Sequence, residues 1–219
     1  MSTPIKVKHI QQHEQPGGFW LLNLTLENDA PIQANGLSHR YELHCDNHSD
    51  TPIEGALFQT SGKRLQLLSK RSLASSRIEE QSEQACSNYT LIPHQTDSLQ
   101  QALSQITLQQ PTLLLAKDLN IAALLFLARM RQSIKAPTLA FLYASEAFPF
   151  AVKPARFMLP ESPPEAIGAC PLLEDWNIAN RLACQALLPG CYQGSLEELV
   201  NYWREQQSGQ DSWQVIDLK

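Results

Sequence analysis

The sequence predicts an α+β protein of two domains. An N-terminal antiparallel β-barrel-like domain covers residues 1–108, and a C-terminal Rossmann-like parallel α/β domain covers residues 109–219. Three observations predict it. In the first half, apolar and polar residues alternate in short runs broken by Gly, Asn and Asp, which marks strands with one wet face. In the second half the apolar runs are unbroken, as in TLLLA from Thr112 to Ala116, which suits strands covered on both faces. Between two such runs lies an apolar helix, giving a β-α-β unit that crosses over right-handed.

Taken in order, Phe19–Glu27 alternates Leu22, Leu24 and Leu26 with Asn23, Thr25 and Glu27, and Pro16-Gly17-Gly18 ahead of it is a turn. Tyr41, Leu43 and Cys45 alternate with Arg40, Glu42 and His44. Arg64–Leu68 and Tyr89–Pro93 are further strands of the small barrel. Residues 69–88 are polar and read as a surface excursion, partly helical. Asp97 or Ser98 caps a helix carrying Leu99, Leu103 and Ile106, which bridges the two halves. Then come strand Thr112–Ala116, the turn Lys117-Asp118-Leu119-Asn120, helix Ile121–Gln132 and strand Thr138–Ala144. Arg156–Leu159 reads as a third short strand and Arg181–Cys184 as a fourth. Ser195 and Glu198 have capping-box spacing. Their helix runs to Gln207 with Leu196, Leu199, Val200 and Trp203 inward, and Trp213–Leu218 closes the sheet.

Composition narrows the partners. The 219 residues are 43% apolar and 18% charged, with net charge −5, ordinary for a globular chain. An acidic balance does not advertise a nucleic-acid or anionic-membrane surface, so no nucleic-acid partner is expected. Lys63, Arg64, Lys70, Arg71 and Arg77 read as a solvated strand-loop face. No apolar run approaches the roughly 18 residues of a membrane span. The first residues carry no apolar signal region, and five irregularly spaced cysteines suit reduced thiols. A cytoplasmic location is the expectation.

The segment PTLLLAKDLNIAALLFLARMR (Pro111–Arg131) resembles the nucleotide-binding segment of the ferredoxin reductase-like superfamily, where such a strand enters a Gly-Gly-Thr-Gly turn, then Ile-Ala-Pro and an apolar helix. A β-barrel ahead of that unit is also the superfamily's order. Cys170–Trp176 (CPLLEDW) and Leu188–Gly194 (LPGCYQG) look like bacterial relatives of flavin reductases and of the dihydroorotate dehydrogenase electron-transfer subunit. The resemblance implies an oxidoreductase passing a hydride between NAD(P)H and a flavin, FAD or FMN, with a redox partner protein. It implies that Lys117, Asp118, Leu119, Asn120 and Ile121 hold a pyrophosphate.

Several residues depart from that pattern. A phosphate-cradling turn needs glycines so that its amides can approach the ligand. Here Asp118 adds a negative charge, which Lys117 offsets, and Asn120 can tolerate a left-handed backbone. The flavin motif Arg-x-Tyr-Ser/Thr has no copy. Arg40 and Tyr41 are adjacent, so on a strand they face opposite sides. These departures support the alternative, an interaction or regulatory module that kept the fold and lost nucleotide binding.

Other constellations read as structural. His39, His44 and His48 with Cys45, Asp46 and Asp50 are the densest set of metal-ligand types, yet they lie on strand and loop, where a four-residue spacing need not converge. His9 and His13 share that spacing on a polar segment. Six residues separate Cys184 from Cys191 and Cys170 stands alone, so no iron–sulfur motif is visible. Gly194-Ser195 is a helix cap, not a nucleophile elbow. Glu174, Asp175, Glu197 and Glu198 read as a solvated face. Phe148 and Phe150 follow a parallel strand's carboxyl end, where open α/β sheets bind ligands, and either ring would stack on a flat cofactor or pack between the halves.

Overall fold

The computed structural model describes residues 4–28, 38–45, 51–73, 89–94, 97–106, 109–207 and 213–218; for 97–101 it describes the backbone alone. The polar stretch 74–88 and residues 46–50 lie outside the described residues. The chain divides into two compact units, Met1–Gln101 and Ala102–Lys219.

Unit one is a closed barrel of β1 (Ile5–Gln15), β2 (Phe19–Leu26), β3 (Arg40–Cys45), β4 (Ile53–Ser61), β5 (Arg64–Ser69) and β6 (Tyr89–Pro93). Their order is β1-β2-β5-β4-β3-β6, and every pairing is antiparallel. The inward residues of β2, Leu22, Leu24 and Leu26, are buried with Val7, Tyr41, Leu57, Leu67 and Leu91, each contributing roughly 1.5–3 kcal/mol of apolar burial. Gly17 and Gly18 turn β1 into β2 at φ 71 and 74, values an L side chain resists. Gly55 serves packing instead: a Cβ there would come 2.9 Å from Leu67 Cβ.

Two strands escape the sequence pattern. In β1 a register shift between Val7 and His9 breaks the alternation, so a mostly polar segment is a barrel strand. His9 and His13 are exposed on it. In β4 three consecutive buried residues, Gly55, Ala56 and Leu57, hide the two-residue period.

Unit two contains α1 (Asp97–Ile106, from Ala102 onward), β7 (Thr112–Lys117), a 3-10 turn (Asp118–Asn120), α2 (Ile121–Arg131), β8 (Thr138–Ala144), β9 (Lys153–Pro154), β10 (Gly168–Ala169), α3 (Pro171–Asp175), β11 (Ala179–Cys184), β12 (Tyr192–Gln193), α4 (Leu196–Gln206) and β13 (Gln214–Leu218). β12, β11, β8, β7 and β13 form one sheet in that order, parallel throughout. Leu113, Leu115, Leu139 and Phe141 on one face pack with Leu196, Leu199, Val200 and Trp203 of α4. Trp203 meets Phe141 and Trp213 edge-on at 5.9 and 5.2 Å, geometry that aromatic quadrupoles favour. Ser195 closes the capping box with Glu198. No helix among the described residues is long and apolar enough to cross a membrane.

Arg156–Leu159 is not a strand; the sheet's third strand in the chain is β11. The backbone at 156–157 finds side-chain partners instead of a neighbouring strand. Arg156 N–H donates to Glu174 Oε2 at 2.8 Å, and Phe157 O accepts from Arg181 at 2.9 Å. Glu174 is correspondingly buried, not part of a solvated face. Asp175 and Glu197 do face solvent, with side-chain exposures of 64% and 65%.

Candidate functional site

In a parallel sheet the strands' carboxyl ends share one edge, and helix amides converge where neighbouring connections depart in opposite directions. Here β7 is followed by α2 and then β8 on one side, while β13 arrives last on its other side. The turn Lys117–Asn120 therefore stands at the switch point. Asn120 marks it directly, its Nδ2 donating to Leu218 O at the end of β13, 3.2 Å away.

The left-handed residue of this turn is Asp118, at φ 48, not Asn120, which takes a helical backbone with φ −68. The reason is the carboxylate. Asp118 Oδ1 accepts from Ser145 N–H and Oδ2 from the Ser145 hydroxyl, both at 2.8 Å. These bonds pin the end of β7 to the residue after β8 and hold a conformation that Asp tolerates better than most. Leu119 and Ile121 are buried, so only their backbone is available to a ligand.

Lys117 is engaged as well. Its ammonium lies 2.6 Å from Glu197 Oε1 at the start of α4 and 5.7 Å from the Tyr143 ring centroid. The hydrogen bond from Lys117 holds the Glu197 carboxyl below its ordinary range. Tyr143 in turn reaches Gln185 Oε1 at 3.5 Å. Lys117, Tyr143, Gln185 and Glu197 thus form one polar cluster beside the Asp118–Ser145 pair. Ser145, Tyr143 and Gln185 were not singled out in the sequence. The signal that could have found them is position, since each lies at or just past a parallel strand's end.

Phe148 is buried and stacks on Phe150 at 5.2 Å and 26°. Phe150 is half-buried. The two rings are brought together and are some residues beyond the Asp118–Ser145 contact.

In the barrel, Arg40 and Tyr41 do face opposite sides. Arg40 Nη1 pairs with Glu54 Oε1 at 2.5 Å. Tyr41 is buried, its oxygen accepting from Ser38 N–H at 3.3 Å, and burial pushes its pKa up to about 12. These residues do not make a flavin cradle. His44 and His94 each approach a different oxygen of Glu42, at 3.1 and 3.0 Å, and His39 is buried. Among the described residues no three His, Cys, Asp or Glu side chains are placed to hold a metal. His48, Asp46 and Asp50 lie outside them.

The tertiary structure joins two cysteines that sequence spacing kept apart. The Cys191 thiol hydrogen-bonds to Cys184, and burial, then the neighbouring Cys184, pushes its pKa up to about 12. Burial likewise raises Cys170 to about 11. Both remain protonated thiols near neutral pH, poor nucleophiles and poor ligands.

No protein-family model matches the chain, and no curated protein does. Solved structures do match. The cytochrome P450 reductase GcoB of Amycolatopsis shares 12% identity, with 98% of this chain and 69% of that one covered, at TM-score 0.58. The ferredoxin reductase in carbazole 1,9a-dioxygenase shares 9%, covering 99% and 69%, at TM-score 0.55. The siderophore-interacting protein of Acinetobacter baumannii shares 10%, covering 98% and 78%, at TM-score 0.54. Identities this low speak to fold and not to residue roles. With a closed barrel followed by a five-stranded parallel sheet, and with nearly its whole length matched, the chain has the fold of the ferredoxin reductase-like superfamily.

Proposed function

We propose that the chain is an oxidoreductase of ferredoxin reductase-like type, passing a hydride between NAD(P)H and a flavin and working with a redox partner protein in the cytoplasm. The observation that carries this reading is the near-complete structural match, 98–99% of the chain, to proteins described as reductases. The nicotinamide group would supply the hydride chemistry; the protein would bind and orient it. Lys117 offers the cation and the turn through Ile121 offers backbone amides for a pyrophosphate. Phe150, the more exposed of the stacked rings, is the candidate for ring contact. The flavin has no counterpart of the family's Arg-x-Tyr-Ser/Thr set, since Arg40 and Tyr41 are divided between the wall's two sides, so a bound flavin would use other residues.

A second reading has its own support. The carboxylates of Asp118 and Glu197 already engage Ser145 and Lys117. That arrangement favours an interaction or regulatory module in which nucleotide binding has been lost.

The visible spectrum of freshly purified, untagged protein decides between them when followed by titration with FAD, FMN and NADH. The reductase reading expects a flavin spectrum, or saturable flavin binding with NADH oxidation. A colourless protein that binds none of the three would overturn it and leave the module reading.

A further inference from the structure

Two sets of hydrogen-bond donors stand at the carboxyl edge of the sheet, and both are occupied by the chain's own carboxylates. The Lys117 ammonium faces Glu197 Oε1 at 2.6 Å. The Ser145 amide and hydroxyl face the two oxygens of Asp118 at 2.8 Å. An ammonium, a backbone N–H and a hydroxyl are the groups that recognise phosphate oxygens. The two pairs differ in how readily they yield. Asp118 is a neighbour of Lys117 in a fixed turn, whereas Glu197 comes from α4, 80 residues away in sequence, on a side chain 65% exposed.

We propose that Glu197 is an internal competitor for phosphate at Lys117: a phosphate-bearing ligand reaches the ammonium by displacing the Glu197 carboxylate. The inference rests on the reading that this edge takes a dinucleotide, but it concerns the anion alone. Displacement is feasible because exposed ion pairs are weak. Glu197 does not leave by protonation near neutral pH, since Lys117 holds its carboxyl below the ordinary range. The cation meanwhile stays in place over the Tyr143 ring, 5.7 Å away. Glu197 thereby sets both the affinity and the salt dependence of phosphate binding at this edge.

The test is calorimetric titration of the full chain with inorganic pyrophosphate at low salt. Glu197→Gln should bind about fivefold more tightly than the unmodified chain, the scale expected for removing one charge about 4 Å from an anion in water. The gain should shrink in 1 M salt, where the Debye length is about 3 Å, and vanish when Lys117→Gln is added. Glu205→Gln, an exposed site on the same helix, changes net charge equally and should leave the affinity unchanged. Far-UV circular dichroism checks that α4 is intact. The proposal fails when Glu197→Gln binds no better than Glu205→Gln, when its gain survives without Lys117, or when neither variant binds pyrophosphate. Because the readout needs no flavin, the two readings separate. Tighter pyrophosphate binding without NADH oxidation sinks the reductase alone, and NADH oxidation with no effect of Glu197→Gln sinks the competitor alone.

Discussion

Asp118 shows how one side chain substitutes for a glycine. At φ 48 the backbone disfavours any L residue by roughly 1–2 kcal/mol, and two hydrogen bonds to Ser145 offset that cost. Removing the bonds while keeping a Cβ exposes it. Asp118→Ala should lower stability by about 1–3 kcal/mol, the loss of two modest hydrogen bonds, whereas Asp118→Gly relieves the backbone and should lose about 1 kcal/mol less. Urea denaturation of the two variants checks the order. Equal losses would mean that the left-handed backbone carries no penalty here. Glu174 makes a related point. It looks like any surface carboxylate in sequence, yet it is buried with Oε2 against the Arg156 backbone, while Oε1 has no hydrogen-bond partner among the described residues. A short loop uses it as the acceptor that a neighbouring strand would otherwise supply.

At the level of elements, α4 was the most legible part of the chain. Ser195 and Glu198 mark its start, and the spacing of Leu196, Leu199, Val200 and Trp203 marks its buried face; all four are buried against the sheet. The cap is the local determinant, since it satisfies first-turn amides that have no helical partner. Ser195→Ala should cost about 1 kcal/mol, read as a lowered thermal midpoint. A loss below about 0.3 kcal/mol would show that tertiary packing alone sets the helix start. β1 and β4 were the least legible, because strand recognition relies on a two-residue period and each contains a register irregularity. The stretch 156–159 failed for the opposite reason. Its composition suits a strand, but its backbone bonds to Glu174 and Arg181 from other elements.

For the molecule as a whole, burial writes a pH dependence that no single motif announces. Tyr41 is raised from 10.0 to about 12, Cys191 from 9.0 to about 12 and Cys170 from 9.0 to about 11. Each holds its proton in the folded state where the unfolded chain has released it, so stability is full below about pH 9 and falls as pH climbs through these raised values. The urea midpoint should be level from pH 7 to 8 and decline from about pH 9 to 11. Tyr41→Phe should flatten the part of the decline above pH 10. A midpoint that rises over this interval would contradict the burial of these groups.

By itself the sequence determined the two halves, their order, the parallel character of the second and the capped helix, because each follows from local periodicity and turn chemistry that act over a few residues. It also determined that Arg40 and Tyr41 face apart, a direct consequence of strand geometry. Only the tertiary structure decided which residue takes the left-handed turn, that Glu174 is an interior acceptor, that Cys184 and Cys191 meet, and that Lys117 is paired with Glu197. Each of these joins groups distant in sequence or chooses among residues of similar propensity. The choice rests on which donors and acceptors the folded chain brings within hydrogen-bond reach, information that no short window of sequence contains.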